Sequence, residues 1–532
     1  MSSVTTDDLI LALQNPDVYN HPVSHIQVME THISWVILTG DYAYKIKKPM
    51  DFGFLDFSTL DRRQHFCNEE LRLNSRLAGK LYLEVLPITG SPQAPVLGGT
   101  GEAFEYAIRM RQFNQQDLFD ARQEQGTLSA ELVTELARQT ALFHQTLTPV
   151  AADKPLGTPE AVYAAMQENF DQIRPLLPAP ELAPQLDSLE HWTRTTFERH
   201  QALISQRRED GFVRECHGDL HLANITVFDD QVTVFDGIEF NEPFRWIDVI
   251  NDLAFLLMDL EARREYGHAN RVLNTYLEYR DDFDALALLP LYKAYRALVR
   301  AKIALFTMGN PSLGDTEKAG LVQQYRDYAN LAESYSEIPD RYLLATCGLS
   351  ASGKTAVSGV LANELGLIRL RSDIERKRLH GLQPLESSNS ATGSRMYTPE
   401  ASAKTYQRLT RLTSQLLAAG FSVIVDAASL KTSERAQLAA VAEEQGVPFV
   451  LVYCEAPLAL RREWIRARQG DASEATEDLF DVQATWLEPL NAEEQAYTAH
   501  VHTEQEGAAE ALADRIRQRL AGASAPSSGT AD

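Results

Sequence analysis

The sequence predicts two dissimilar folded halves, an α+β half followed by an α/β half built on a parallel sheet, and three observations carry that prediction. From residue 341 onward five short apolar strands alternate with helices, the pattern of a parallel sheet covered by helices on its faces. Before residue 336 strand-like stretches cluster at the front and helical ones follow. Between the two, 336–340 contains Ile338-Pro339-Asp340 and reads as a linker. At 532 residues the chain is also too long for one core, since a domain takes roughly 100–200 residues. The expected domains are 1–336 and 341–522, with 523–532 a small, polar tail that is expected to be disordered.

Within the first half, HISWVILTGDYAYKIKK reads as two strands around a Gly40-Asp41 turn, and RRQHFCNEELRLNSRLAG as an amphipathic helix ending at Gly79. LYLEVLPIT and FEYAIRMRQF read as further strands, with 90–101 between them as a Gly/Pro-rich loop. From about 115 to 208 the pattern is helical and polar. FVRECHGDLHLANITVFDDQVTVFDGIEF then forms a buried strand-loop-strand element, and helices resume to about Ser336. In the second half YLLATC, LIRLR, FSVIVD, PFVLVYC and VHT are the strands, each followed by a helix, the last reaching about Leu520. No internal repeat relates the halves.

Composition narrows the function classes. Hydrophobic residues at 44% and charged residues at 23% are ordinary for a globular protein, which sets aside a fibrous or wholly disordered chain. A net charge of -24 argues against a large nucleic-acid footprint, because neutralising many phosphates takes clustered Lys and Arg. Small-molecule chemistry fits better, and the basic stretches at 45–48 and 461–468 stand out as candidate anion sites. Cys67, Cys216, Cys347 and Cys454 lie far apart without CxxC pairing, which predicts neither a disulfide framework nor a zinc site and points to a reducing cytoplasm. The N-terminus lacks a basic n-region and a long apolar core, and the long apolar runs carry charges, so no export or membrane segment is expected. Oligomeric state is not readable.

GLSASGKT at 348–355 matches GxxxxGK[ST] and stands where that motif requires, between an apolar strand and a helix. Gly348 and Gly353 let the backbone curl, so that the N–H groups of a loop containing Ser350 and Ser352 cradle phosphate oxygens. The helix N-terminus adds positive potential, Lys354 reaches the β/γ-phosphates and Thr355 ligates magnesium. ATP and Mg2+ are therefore the expected cofactors.

Over most of 342–520 the chain resembles small-molecule and zeta-toxin-like P-loop kinases, close to gluconate kinases. In RSDIERKR after the second strand, the resemblance implies that Asp373 and Arg376 hold a substrate hydroxyl and an anionic group, with Asp373 the base or orienting group. The plainer alternative makes Ser372 or Asp373 a helix N-cap. Asp426 closes FSVIVD at the C-terminal edge of a strand, the ligand side of an open parallel sheet. It holds magnesium through water, touches substrate, or is a solvated loop residue. LRREWIRARQGDASEAT resembles the arginine-bearing lid of these kinases, with Arg462 and Arg466 one helical turn apart and Arg468 just beyond. Arg466 and Arg468 are then expected to neutralise the transferring phosphoryl group, against the alternative of a solvated basic face.

In the first half ECHGDLHLANI places Asp219 and Asn224 five positions apart, the spacing of a kinase catalytic loop, and Asp236 follows in VFDGIEF. In that chemistry Asp219 accepts or orients the proton of the substrate hydroxyl, while Asn224 and Asp236 hold magnesium. Over roughly 30–335 the chain resembles the aminoglycoside phosphotransferase and choline kinase group, with HGDLHLAN the specific part, and the resemblance implies a two-lobed protein-kinase-like domain. It places the ATP-phosphate lysine in AYK at 43–45, assigned to Lys45 over Lys47, although both point to one strand face. Glu70, or its neighbour Glu69, is the expected partner. FEYAIRMRQF is the expected hinge strand, contacting adenine through backbone groups around 109–111. Asp248 and Asp252 are expected to buttress the catalytic loop and His217 to orient it, whereas His221 could orient or transfer protons. The sequence departs from protein kinases in two places: no GxGxxG precedes Lys45, and Asp236-Gly237-Ile238 replaces DFG, which removes the Phe switch.

Two phosphate-handling centres predict an ATP-dependent bifunctional kinase that transfers the γ-phosphate to hydroxyls of small metabolites. Two alternatives stand beside it. Only one half is catalytic and the other is a nucleotide-binding regulator, or the P-loop half is a nucleic-acid end kinase. Neither acceptor is named by any motif.

Overall fold

The computed structural model describes residues 3–53, 55–386, 398–467, 472–473, 476–477 and 479–524. By packing, the chain divides into two compact units, Met1–Asp259 with Leu291–Ala332 and Leu260–Pro290 with Glu333–Asp532. The stretch 260–290, which the sequence reading groups with the first half, thus packs with the second.

The first unit opens on a six-stranded antiparallel sheet of β1 (Gln27–Glu30), β2 (Ser34–Leu38), β3 (Tyr42–Lys47), β4 (Tyr82–Ser91), β5 (Ala94–Leu97) and β6 (Glu105–Arg111), in the order β1-β2-β3-β6-β4-β5. The Gly40-Asp41 turn joins β2 to β3, with Val36 opposite Lys45 and Ser34 opposite Lys47. The helix Leu60–Ala78 starts where the Thr59 hydroxyl accepts the Arg62 N–H, and it buries Cys67, Glu70, Leu73 and Asn74. Cys67 and Ala78 share a core with Ala43, Ile108 and Met110 of the sheet. The expected loop at 90–101 is corrected: its centre is the edge strand β5, hairpinned onto β4 with Gly90 opposite Pro95. An edge strand tolerates the missing N–H of Pro95, which is why a proline-bearing stretch still pairs there.

Helices Ala130–Thr146, Pro159–Ile173 and Ala183–Glu209 follow. Next come β7 (Val213–Glu215), the hairpin β8 (Ile225–Phe228) and β9 (Gln231–Val234), and β10 (Trp246–Asp248), which pairs with β7. Asp229 and Asp230 take φ of 49° and 57°, the left-handed pair of a tight hairpin turn, which Asp tolerates. The helix bearing Asp252 begins at Val249, because Trp246, Ile247 and Asp248 are drawn into pairing with β7.

The second unit is a five-stranded sheet of β11 (Leu343–Cys347), β12 (Ile368–Arg371), β13 (Val423–Asp426), β14 (Phe449–Glu455) and β15 (Thr498–His502), ordered β12-β13-β11-β14-β15. All four pairings are parallel. The last strand starts three residues ahead of the expected VHT. The helix Tyr266–Arg280 lies along the edge strand: Asn270 and Asn274 donate to the Leu367 carbonyl at 3.1 and 2.9 Å, and Asn274 Oδ1 accepts the Arg369 N–H at 2.7 Å. These buried amides occupy backbone groups of an edge that would otherwise be open. All four cysteines are free and buried. Among the described residues no helix is long and apolar enough to cross a membrane. Residues 525–532 of the expected tail lie outside the described residues.

Candidate active sites

In the first unit the lysine strand and the Leu60–Ala78 helix meet in a buried charge network. Lys45 Nζ lies 2.8 Å from Glu70 Oε1 and 2.5 Å from Asp236 Oδ1. Lys47 takes the other Glu70 oxygen at 2.6 Å and pairs with Glu239 as well. Glu69 faces Arg72 instead, so the buried partner is Glu70. The strand alternation that left Lys45 and Lys47 on one face is resolved by division of labour: only Lys45 also reaches Asp236. Burial pushes the Glu70 carboxyl up, but the two ammonium groups outweigh it and hold it at about 2. Burial works equally against the Lys45 ammonium, and Asp236 and Glu70 more than offset it, leaving its pKa well above the lysine range. For Glu239 burial wins and its carboxyl is pushed up.

The loop 217–224 is anchored by Asp252 and Asp259 of the following helix. Asp252 accepts the backbone N–H groups of His217 at 3.2 Å and Gly218 at 2.8 Å and is held in turn by His144 Nε2 at 3.0 Å. Asp248, on β10, instead takes a two-pronged pair at 2.7 and 2.8 Å from Arg207 of the helix Ala183–Glu209, so of the two acids expected to buttress the loop it is Asp252 that bonds its backbone. Asp259, which the sequence reading passed over, accepts the Leu222 N–H at 3.0 Å. Its position seven residues after Asp252 on one helix was a readable signal. Gly218 has φ +84°, and a Cβ there would stand 2.8 Å from the Phe244 carbonyl oxygen, so the loop requires glycine between His217 and Asp219. His217 Nε2 donates to the Phe235 carbonyl at 2.9 Å while its Nδ1 accepts the Asp219 N–H at 3.3 Å. Burial pushes its pKa down, and its two hydrogen bonds make the ring a strut.

Asp219 Oδ2 sits 3.2 Å from His221 Nε2 and accepts Asn224 Nδ2 at 3.1 Å. Burial works to raise the Asp219 pKa, and the His221 and His217 rings and the Arg300 guanidinium hold it well below the usual range. Asn224 spends its amide nitrogen on Asp219, which leaves Oδ1 as an acceptor. Asp236 stands at φ 61°, a strained conformation fixed by the Phe235 N–H on the Asn224 carbonyl and the Gly237 N–H on Asn74 Oδ1. Hard oxygen donors from an amide and a carboxylate fit a magnesium ion. At the end of the expected hinge strand the N–H groups of Arg111 and Gln112 are given to the Leu81 and Asp41 carbonyls.

In the second unit the 348–355 loop rises from β11 into the helix Lys354–Leu365. Gly348 has φ +148°, and a Cβ there would lie 2.5 Å from the Cys454 carbonyl oxygen, so β14 leaves no room for a side chain. Gly353 is the left-handed residue at the helix start, and Thr355 follows Lys354 in the first turn. Lys354 Nζ donates to the Leu349 carbonyl at 2.7 Å. Burial pushes the Lys354 pKa down, against the pull of Asp426 and Asp373. Two side chains hold the loop: Gln483, absent from the sequence reading, accepts the Ser350 N–H on Oε1 at 2.8 Å, and Arg461, the first residue of the 461–468 basic stretch, donates from Nε to the Ser350 carbonyl at 2.9 Å. Arg461 also stacks on Phe480 at 4.4 Å. No sequence spacing signals contacts 111 and 133 residues away.

Asp426 ends β13 and is 5% exposed, so it is no solvated loop residue; Arg371 lies opposite it, with Nε 3.7 Å from Oδ2. Asp373 pairs with Arg376 at 2.8 Å. The helix Ser372–Leu379 is capped by Arg371 without a side-chain bond, so neither Ser372 nor Asp373 occupies the N-cap. Arg466 points outward, its side chain 69% exposed and 2.5 Å from Glu477, with Arg462 on the same carboxylate at 3.8 Å. Arg468 lies outside the described residues. Ser352 Oγ, Asp426 Oδ2 and Arg461 Nη2 are buried polar atoms without a hydrogen-bond partner among the described residues. Such atoms call for a polar ligand. A phosphate for the two donors and a hydrated magnesium ion for the carboxylate fit them.

Fold and sites together define a phosphotransferase. Residues 83–289 match the model of the phosphotransferase enzyme family, and residues 343–490 match a P-loop model described as an AAA domain. The chain thus joins a phosphotransferase-family domain to a P-loop kinase-like domain. The first match begins beyond Lys45 and Glu70, whose assignment rests on geometry. Proteins of Mycobacterium tuberculosis and Mycobacterium bovis, both described as uncharacterized, are 27% identical over 477 residues, which is 88% of this chain and 92% of theirs. Among solved structures, a gluconokinase from Sinorhizobium meliloti is 21% identical with a TM-score of 0.26, covering 36% of this chain and 99% of its own. A choline/ethanolamine kinase family protein from Mesorhizobium loti is 13% identical with a TM-score of 0.36, covering 62% of this chain and 98% of its own.

Proposed function

We propose that both units are ATP- and magnesium-dependent kinases, each transferring the γ-phosphate to a hydroxyl of a small metabolite in the cytoplasm, with functional domains at 1–336 and 341–522. The observation that carries this reading is duplication: each unit has its own lysine beside carboxylates, buried Lys45 with Glu70 and Asp236, and half-buried Lys354 near Asp373 and Asp426. In the first unit Lys45 holds phosphate oxygens, Glu70 fixes Lys45, and Asn224 and Asp236 hold the ion. Asp219 accepts a hydrogen bond from the acceptor hydroxyl and aligns its oxygen for in-line attack. In the second, the backbone of 348–355 with Ser350 and Ser352 cradles phosphate, and Thr355 and Asp426 hold magnesium. Asp373 orients the hydroxyl, and Arg466 and Arg468 reach the phosphoryl group once Glu477 releases Arg466. Magnesium, when bound, neutralises charge building on the phosphoryl oxygens.

Equilibrium binding of a fluorescent ATP analogue tests the duplication. Two sites per chain are expected, falling to one in Lys354→Ala and to one in Lys45→Ala. A single site in the unaltered chain removes the reading.

A further inference from the structure

We propose that the acceptor of the first unit carries a negative group, a phosphate or a carboxylate, near its reacting hydroxyl, and that Arg300 binds that group. This rests on the reading of the first unit as a kinase centred on Asp219.

The helix Leu289–Met308 carries two guanidinium groups, of which Arg296 bonds to the loop that holds Asp219. Arg296 is 4% exposed, donates from Nε to Asn251 Oδ1 at 2.8 Å, and donates from Nη1 to the carbonyl of Gly218, the residue before Asp219, at 3.1 Å. Its Nη2 is buried and has no hydrogen-bond partner among the described residues. Arg300 follows four residues on, one helical turn along the same face. Its recorded hydrogen bond is from Nε to the Tyr328 hydroxyl at 3.4 Å. Among the described residues no carboxylate lies within ion-pair distance of Arg300. The nearby acids are already engaged, Asp259 with the Leu222 N–H and Asp219 with His221 and Asn224.

Arg300 is half-buried with no carboxylate in ion-pair distance, and Asp259 and Asp219 favour its charge only from farther off, so a ligand anion would gain a direct pair there. The planar guanidinium fork matches the two oxygens of a phosphate or carboxylate. The same charges disfavour an amino alcohol or an aminoglycoside, whose ammonium groups would meet Arg300 and Arg296 beside the loop. Arg296 is committed to the loop backbone, so discrimination falls to Arg300.

The test uses the full chain carrying Lys354→Ala, which silences the second unit, incubated with ATP, magnesium and a cell metabolite extract. Products that vanish in Asp219→Ala are identified by mass spectrometry. The expected acceptors bear a phosphate or carboxylate. With the purified acceptor, Arg300→Gln raises KM about 10- to 100-fold, the loss typical of a hydrogen bond between charged groups, with the change carried by KM and partly restored in Arg300→Lys. Asp219-dependent acceptors that are cationic or neutral, or a KM unchanged in Arg300→Gln, overturn the proposal. Products indifferent to Asp219→Ala instead remove the kinase reading of the unit, and the acceptor class with it.

Discussion

The Lys45 ammonium sits 2.8 Å from Glu70 Oε1 inside the first unit, with the Glu70 side chain fully buried, while Lys47 holds the second oxygen of the same carboxylate. Removing the shared acid leaves two buried cations with only Asp236 and Glu239 between them. Glu70→Gln is expected to cost about 3 kcal/mol of unfolding free energy, the low end for breaking a buried pair. The Glu70 carboxyl is held at about 2, below its ordinary 4.5, so its contribution is complete above pH 4.5 and is lost as pH falls toward 2. Urea unfolding across that range should give a shallower dependence on pH in Glu70→Gln than in the unaltered chain.

Asp219 is the corresponding case at the proposed reaction centre of the first unit. Its carboxyl is held below the ordinary range, so it stays ionised well into acid. Replacing it by Asn removes the same charge at every pH above that range. In the Lys354→Ala background, Asp219→Asn should lower the first unit's kcat by about 10²- to 10⁴-fold, by the same factor at pH 5.5 and pH 8. A penalty that shrinks toward acid pH would mean that Asp219 is already protonating there.

Gly348→Ala meets both a left-handed φ of +148° and the Cys454 carbonyl oxygen 2.5 Å from the new Cβ. Strain of this kind costs about 1–3 kcal/mol, so nucleotide affinity at the second unit should fall about 5- to 150-fold. Analogue titration compares it with Lys354→Ala, and an unchanged affinity would show that the loop moves to accept a side chain.

Arg461 and Arg466 should separate. Arg461 is 7% exposed and bonded to the Ser350 carbonyl, whereas Arg466 is paired with Glu477 at the surface. Arg461→Ala is expected to weaken nucleotide binding at the second unit by about 10-fold or more through loss of a buried, charge-assisted bond. Arg466→Ala should leave nucleotide affinity unchanged and act on turnover alone. Titration and initial rates on the same preparations distinguish the two.

How much of this was legible in the sequence follows from the range of each interaction. The 348–355 loop, the Asp219–Asn224 spacing and the strand alternation around Lys45 are local patterns, and the structure places those residues where each pattern implies. Short pairing is less legible. Three residues of β10 pair with β7, and four of β5 fold onto β4, because a partner lies nearby, not because their own composition demands a strand. The least legible features are long-range: Asn270 and Asn274 on the Leu367 carbonyl, and Gln483 and Arg461 on Ser350. Helical periodicity reveals that 266–280 has an apolar face and does not reveal which core that face covers.

The central claim, two independent kinase centres in one chain, is tested most directly by mapping phosphorylated products from labelled ATP and a cell metabolite extract. The unaltered chain, Asp219→Ala, Lys354→Ala and the double variant are compared. Each single substitution should erase a different set of products and the double variant should erase both. If one substitution abolishes every product and the other leaves all of them at unchanged rates, only one unit is catalytic and the claim is wrong.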